Sequence, residues 1–307
     1  MEEALADPAS IPIEARIAGW LTVGFILDIV DIGRSDAPLL DALLVAAVIE
    51  ANVNRFNREP ALQAAHACLD SPPPDQMRRP VSINALASSL QLSFETVRRQ
   101  VNGLIRQGVM VATPSGVYVP MSMLVSPPIV AAALGRYERV FRFHDDLRAA
   151  GVVEALPTAP APAQDPQAPV RAVNRILSDY FFRTLETLRR QIGDPLTSLV
   201  MLDVLRGSSG HILPTAVAAA MQAGWIADKE RSPVRVAELS RRLGIPYETA
   251  RRRIGWLVER AYCRQVSGGI LPCAAFLKSP TLLSTSVDNL ANIRRMYRQV
   301  ASLGVVG

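Results

Sequence analysis

Two stretches of this chain repeat one arrangement of apolar and polar positions. In residues 90–108, LQLSFETVRRQVNGLIRQG, the apolar residues Leu90, Leu92, Val97, Val101, Leu104 and Ile105 fall at helical spacing on one side of a helix–turn–helix unit. Ser93 follows the short break and is placed to N-cap the second helix. The opposite side of that helix is polar, with Thr96, Arg98, Arg99, Asn102 and Arg106. Residues 109–112 and 117–119 then predict two strands around the turn Thr113-Pro114-Ser115-Gly116. Residues 243–261, LGIPYETARRRIGWLVERA, carry the second copy.

Elsewhere the pattern predicts mostly helix. Residues 1–12 form a tail, and residues 13–32 a mostly apolar helix closed by Gly33. Ser35-Asp36 then caps a helix over 38–56 that is apolar almost all round and therefore buried on several sides. Ser71-Pro72-Pro73-Pro74-Asp75 breaks the chain, residues 81–83 give an extended entry, and residues 84–90 the supporting helix. A long helix over 129–150 carries a stripe of Val130, Leu134, Tyr137, Phe141 and His144 or Leu147, which suits packing inside its own domain or a homodimer equally well. Residues 154–169, EALPTAPAPAQDPQAP, have the composition of a linker. A polyproline-like chain of that length spans up to roughly 50 Å, so the two halves need not touch through it.

After the linker the order recurs. A helix over 170–192 precedes Gly193-Asp194-Pro195, which caps the next helix, 196–205. Residues 80–153 align with 233–306 at a constant offset of 153 and without a gap, including Glu95/Glu248, Thr96/Thr249, Arg98/Arg251, Arg99/Arg252 and Gly116/Gly269. The chain therefore reads as an internal duplication. The expected organisation is a first unit over 13–153 with its helix–turn–helix and hairpin at 81–120, the linker at 154–169, and a second unit over 170–307 with its counterpart at 234–272.

Charge sharpens the picture. The net charge is +5, but residues 78–120 alone carry five Arg and one Glu, and residues 231–273 nine Arg and three Glu. These windows hold +4 and +6, so the remainder is at −5, and the positive charge sits on the two helix–turn–helix copies. Glu95 and Glu248 in the first turn favour the helix dipole whatever the helix does. Arg98 has no carboxylate four residues away, and Arg99 has only Glu95, which points to phosphate or base contact. The second copy adds Arg241 and Arg242 on the supporting helix and Arg251, Arg252 and Arg253 on the following one. Trp225 and Trp256 are expected in packing, and Met121 and Met123 as gap-filling core.

Other chemistries lack their signatures. Cys68, Cys263 and Cys273 form no C-x-x-C pair, and His66, His144 and His211 are scattered, so neither disulfide nor metal is expected. There is no G-x-S-x-G, P-loop or G-x-G-x-x-G, so neither an enzyme nor a cofactor is expected. The N-terminus has no basic n-region, and the apolar run 17–27 is too short to span a bilayer, so a cytoplasmic location without membrane contact is expected.

Residues 81–120, with Ser93, Thr96, Val97 and Arg98 in the pattern S-x-x-T-V-R and a hairpin behind them, resemble the winged helix-turn-helix domains of bacterial transcription regulators of the GntR, DeoR and IclR-like groups. The arginine that GntR-like members favour after the serine is Phe94 here. The resemblance implies a mainly α protein with small β-wings, two tandem winged helices in one chain, acting as a sequence-specific regulator on double-stranded DNA. The residues it nominates for DNA are Ser93, Thr96, Arg98, Arg99, Asn102, Arg241, Arg242, Thr249, Arg251, Arg252 and Arg253. The rival expectation is a replication-initiator or chromosome-segregation assembly protein resembling the ScpB group, whose winged helices bind protein.

Overall fold

The computed structural model describes residues 11–212 and 226–303, together with 217, 219 and 221; Trp225 lies outside the described residues. The chain is mainly helical, with two small antiparallel two-stranded sheets. Helix α1 (Ile13–Arg34) runs through Gly33 and ends where Ser35 adopts a positive φ of 50°. Helix α2 (Leu39–Val53) is entered through Pro38, whose fixed φ sets the start, and neither Ser35 nor Asp36 caps it. After α3 (Pro60–Ala65) come the supporting helix α4 (Ile83–Leu90) and the following helix α5 (Phe94–Arg106).

Local chemistry dictates this corner. Ser82 caps α4 by accepting from the Ala85 N–H, and Ser93 caps α5 by accepting from the Thr96 N–H. Between them Gln91 takes the left-handed conformation that turns the chain. Strands β1 (Val111–Thr113) and β2 (Gly116–Tyr118) pair with Thr113 opposite Gly116, leaving Pro114 and Ser115 as the tip. Val81 adds a third, one-residue pairing to Val117, with hydrogen bonds of 3.0 and 2.9 Å in the two directions. Gly116 has φ +137°, and a Cβ there would overlap the Val81 carbonyl, so the position requires glycine. One core joins Leu44 and Val48 of α2 to Leu86, Leu90, Val97, Val101, Leu104 and Val117. The apolar positions at helical spacing in 90–108 are thus the ones that meet.

The second half repeats the element order. After α6 (Met121–Leu124), α7 (Pro127–Ala149), α8 (Val170–Ile192) and α9 (Pro195–Ser209) come α10 (Val236–Leu243), α11 (Tyr247–Glu259), β3 (Cys263–Val266), β4 (Gly269–Pro272), α12 (Ala274–Leu277) and α13 (Pro280–Ser302). The bounds of α4, α5, α6 and α7 recur in α10, α11, α12 and α13 at an offset of 153. The Val81–Val117 bridge recurs as Val234–Ile270, and Gly269 again faces a backbone carbonyl, that of Val234. Asp75 and the buried Arg78 also recur as Asp228 and the buried Arg231, which places the correspondence upstream of residue 80.

The chain divides into two compact units, each gathered from three stretches: Met1–Asp28, Arg142–Ala155 and Arg183–Arg294 in the first, and Ile29–Phe141, Leu156–Phe182 and Arg295–Gly307 in the second. Four of the divisions fall inside α1, α7, α8 and α13, and the fifth falls between Ala155 and Leu156, so most of 154–169 belongs to the second unit. In the first unit Phe25 stacks on Phe143 at 4.0 Å, and Asn289 donates to the Thr22 hydroxyl. In the second, Tyr297 donates to the Val140 carbonyl at 2.8 Å.

Residues 154–169 hold no helix or strand, as their composition predicts, but they are not a free tether. Within the second unit Ala161, Ala163 and Ala168 are buried, and the Tyr137 hydroxyl donates to the Ala161 carbonyl. Cys68 donates to the Gln167 carbonyl and Gln164 to Glu138. Small alanines let the backbone lie close to the helices, which a composition argument cannot foresee. The α7 stripe is likewise covered within the chain: Tyr137, Phe141, His144 and Leu147 are all buried.

Candidate nucleic-acid interface

Each helix–turn–helix copy presents one face of its second helix to solvent. In α5, Phe94, Glu95, Arg98, Arg99 and Arg106 are exposed, with Thr96 and Asn102 half-buried beside them. In α11 the exposed residues are Tyr247, Glu248, Arg251, Arg252, Gly255 and Glu259, with Thr249 half-buried. Val97, Val101 and Leu104, and Ala250, Ile254 and Leu257, occupy the buried sides. The amphipathic periodicity therefore orients both helices in the same way.

The arginines are not equivalent. Arg98 makes a two-pronged pair with Glu95 at 2.9 and 2.8 Å, and Arg251 pairs with Glu248 at 2.8 Å. Hydrogen bonding from the guanidinium holds each carboxyl below its ordinary range. The expectation of an unpaired Arg98 is thus corrected, because the partner lies three residues back and not four. Such exposed pairs contribute little and open readily to a stronger anion. The side chains of Arg99 and Arg252 make no hydrogen bond or ion pair with a described residue, and the same holds for the side chains of Arg241 and Asn102.

Two of the nominated arginines face inward. Arg242 on α10 binds the fully buried carboxylate of Asp203 on α9, with contacts of 2.6 to 3.1 Å. Arg253 on α11 donates to both oxygens of Asp194, at 2.7 and 2.6 Å, and to the Thr197 hydroxyl. Their expected place on an outward basic face is corrected: the buried Asp203 within α9 draws in Arg242, and the half-buried Asp194 at the N-cap of α9 draws in Arg253. Burial pushes the Asp194 carboxyl up, but the Arg253 charge and the Thr197 and Arg253 hydrogen bonds outweigh it and hold the pKa below the usual value. The equivalent residue of the first copy, Gln100, donates to Asp41 at the start of α2. In both copies this position ties the exposed helix to the apolar helix behind it.

Charge counting in sequence also overstated the exposed surface. Arg78 is buried and spent on Asp75 and the Pro73 carbonyl, Arg231 is buried, and Arg264 pairs with Asp228. What remains outward and shared by the copies is Thr96, Arg98 and Arg99 with Thr249, Arg251 and Arg252. Ser93 is occupied as a cap, its hydroxyl also donating to Thr96 at 2.7 Å.

Sequence reasoning missed one shared feature. Phe94 and Tyr247, 49% and 50% exposed, stand at corresponding first positions of α5 and α11. The signal was available: an aromatic recurs at the constant offset where the burial pattern calls for a polar residue. Trp256 packs as expected, against Tyr262 at 5.9 Å and under Arg260 at 3.9 Å. Met123 packs against the first core, whereas Met121 is exposed.

The residues of other chemistries are occupied with structure. His66, His144 and His211 each meet a backbone carbonyl, those of Ser71, Glu154 and Glu230. All three cysteines are free, and burial pushes the Cys263 thiol up to about 12. Among the described residues no group of His, Cys, Asp and Glu is placed to hold a metal, and no helix is long and apolar enough to cross a membrane.

Comparison with known protein families, with curated proteins and with solved structures found no match.

Proposed function

We propose that this chain is a sequence-specific double-stranded-DNA-binding transcription regulator, built from two winged helix-turn-helix units that arose by internal duplication. The observation that carries the reading is the matched outward triad: Thr96, Arg98 and Arg99 on α5 recur as Thr249, Arg251 and Arg252 on α11, each on a capped or Pro-entered helix followed by a hairpin. An exposed helix of this width fits a major groove, where arginine fits guanine and Asn102 fits adenine. Phe94 and Tyr247 are suited to thymine methyl groups. Arg99, Arg252 and Arg241 supply phosphate contacts. Arg242 and Arg253 position the second helix and do not touch DNA. Such a regulator works in the cytoplasm.

The test is enrichment of a random duplex library on the full chain at about 100 mM salt. A recurrent motif, lost in Arg98→Ala combined with Arg251→Ala, supports the reading. A chain that enriches no sequence and shifts no duplex refutes it.

A second reading has its own support. The Glu95–Arg98 and Glu248–Arg251 pairs neutralise part of the face beside exposed Phe94 and Tyr247, which also suits a protein partner of an assembly factor. Binding that survives high salt and disappears with the aromatics would select it.

A further inference from the structure

The second compact unit contains a pocket of about 490 Å³, counting its open mouth. Its walls are apolar, formed by Leu39 and Leu43 of α2, Leu177 and Phe181 of α8, and neighbouring aliphatic residues. One charged side chain lines it: Arg136 of α7. The Nε atom of Arg136 is shut off from solvent without a hydrogen-bond partner, and no hydrogen bond or ion pair joins the guanidinium to any described residue. The residue as a whole keeps intermediate exposure because it lines the cavity. Desolvation alone draws its pKa down to about 10.

An unpaired guanidinium among apolar walls is a costly arrangement unless something supplies the missing anion. The duplication offers an internal comparison. At the corresponding position of α13 the chain has Asn289, and that residue is bonded to Thr22. The buried cation is therefore not a requirement of the helix position. Gly33 reinforces this, since a Cβ there would overlap the Arg136 Nη2 atom; the glycine leaves room for the guanidinium.

We propose that this pocket binds a small organic monocarboxylate with an apolar body, its carboxylate on Arg136 and its hydrocarbon part against Leu39, Leu43, Leu177 and Phe181. The planar fork of arginine matches a carboxylate with two parallel hydrogen bonds. The walls take the apolar part, and an apolar lining with one convergent charged group is the usual make-up of a small-molecule site. Ser178 is the other polar side chain of the lining, so a doubly charged phosphate would leave one charge uncompensated. This inference stands independently of the DNA reading.

Titration calorimetry on the full chain tests it, with sodium octanoate and sodium benzoate as probes beside octanamide, benzamide and inorganic phosphate. The expected result is one site per chain for at least one carboxylate, with a Kd below about 1 mM, and binding at least about tenfold weaker for its amide and for phosphate. Arg136→Met should erase the preference for acid over amide. Gly33→Ala, which displaces the guanidinium and leaves the walls intact, should weaken the carboxylate about tenfold. Circular dichroism checks folding, and if Arg136→Met fails to fold, Gly33→Ala decides. Equal binding of acid and amide, no binding of either carboxylate at about 10 mM, or full affinity in Gly33→Ala would each overturn the proposal.

Discussion

Arg253 and Asp194 lock the second exposed helix to the start of α9: one guanidinium nitrogen reaches both carboxylate oxygens and the Thr197 hydroxyl. The same carboxylate caps α9 by accepting from the N–H groups of Leu196 and Thr197. A residue in an arginine triplet thus belongs to the scaffold while its neighbours face solvent.

Arg253→Ala should lower stability by about 2–3 kcal/mol, because it strands a largely buried carboxylate. The pH dependence follows from the depressed pKa of Asp194. Its folded value lies below its unfolded one, so the contribution is fully present above the ordinary carboxyl range near pH 4 and is lost as pH falls through the folded pKa. Urea unfolding of wild type and Asp194→Asn should differ at pH 7 and converge toward pH 2–3. A gap independent of pH would show that the charge pair is not the cause.

Arg99→Ala and Arg252→Ala should each flatten the salt dependence of DNA binding by about one unit of slope, with melting temperature unchanged. Titrations on specific and scrambled duplexes at several salt concentrations measure this. Asn102→Ala should instead relax preference at one base pair by about 1–3 kcal/mol. Gly255 occupies the corresponding place in the second copy and offers no such contact.

Phe94→Ala and Tyr247→Ala should change stability by less than about 0.5 kcal/mol, since both residues are already exposed. Their effect should fall on binding. Partner affinity unaltered in the double variant would remove the aromatics from the interface.

Gly116→Ala and Gly269→Ala should each destabilise the chain by about 2–3 kcal/mol. Both combine a left-handed φ with a backbone carbonyl where the Cβ would go, those of Val81 and Val234. Denaturant midpoints check this, and Gly255→Ala, with open space around it, is the control.

Deleting residues 157–163 should destabilise the second unit, because the deletion removes Ala161 and Ala163 from the interior and the acceptor for Tyr137. A chain cooperating through a loose tether would lose no stability. Thermal unfolding separates the two outcomes.

The helix–turn–helix corners were legible because they depend on local rules: a serine cap at Ser93, apolar spacing at Val97, Val101 and Leu104, and a glycine that no other residue can replace at the hairpin. The recurring helix bounds were legible because the offset of 153 is constant. The destinations of individual arginines were not. Arg242 and Arg253 look like their neighbours in sequence, and only the positions of Asp203 and Asp194, decided by how α9 packs, turn them inward. The pairing of Arg98 was within reach, since a glutamate three residues back is as close on a helix as one four back. The packing of 157–168 was beyond composition, which registers proline and alanine but not the Tyr137 hydroxyl waiting for a carbonyl.

The three-stretch make-up of each compact unit has a consequence for biosynthesis. Thr22 finds Asn289 only after 267 further residues have been added, and Val140 waits for Tyr297. Closure of such distant pairs is slow, and the early helices leave the ribosome with apolar faces whose partners are not yet made. Neither half of the sequence, split at residue 160, contains all the stretches of either unit. Split genes encoding the two halves would therefore have to assemble as a heterodimer, and each half alone would be a client for chaperones.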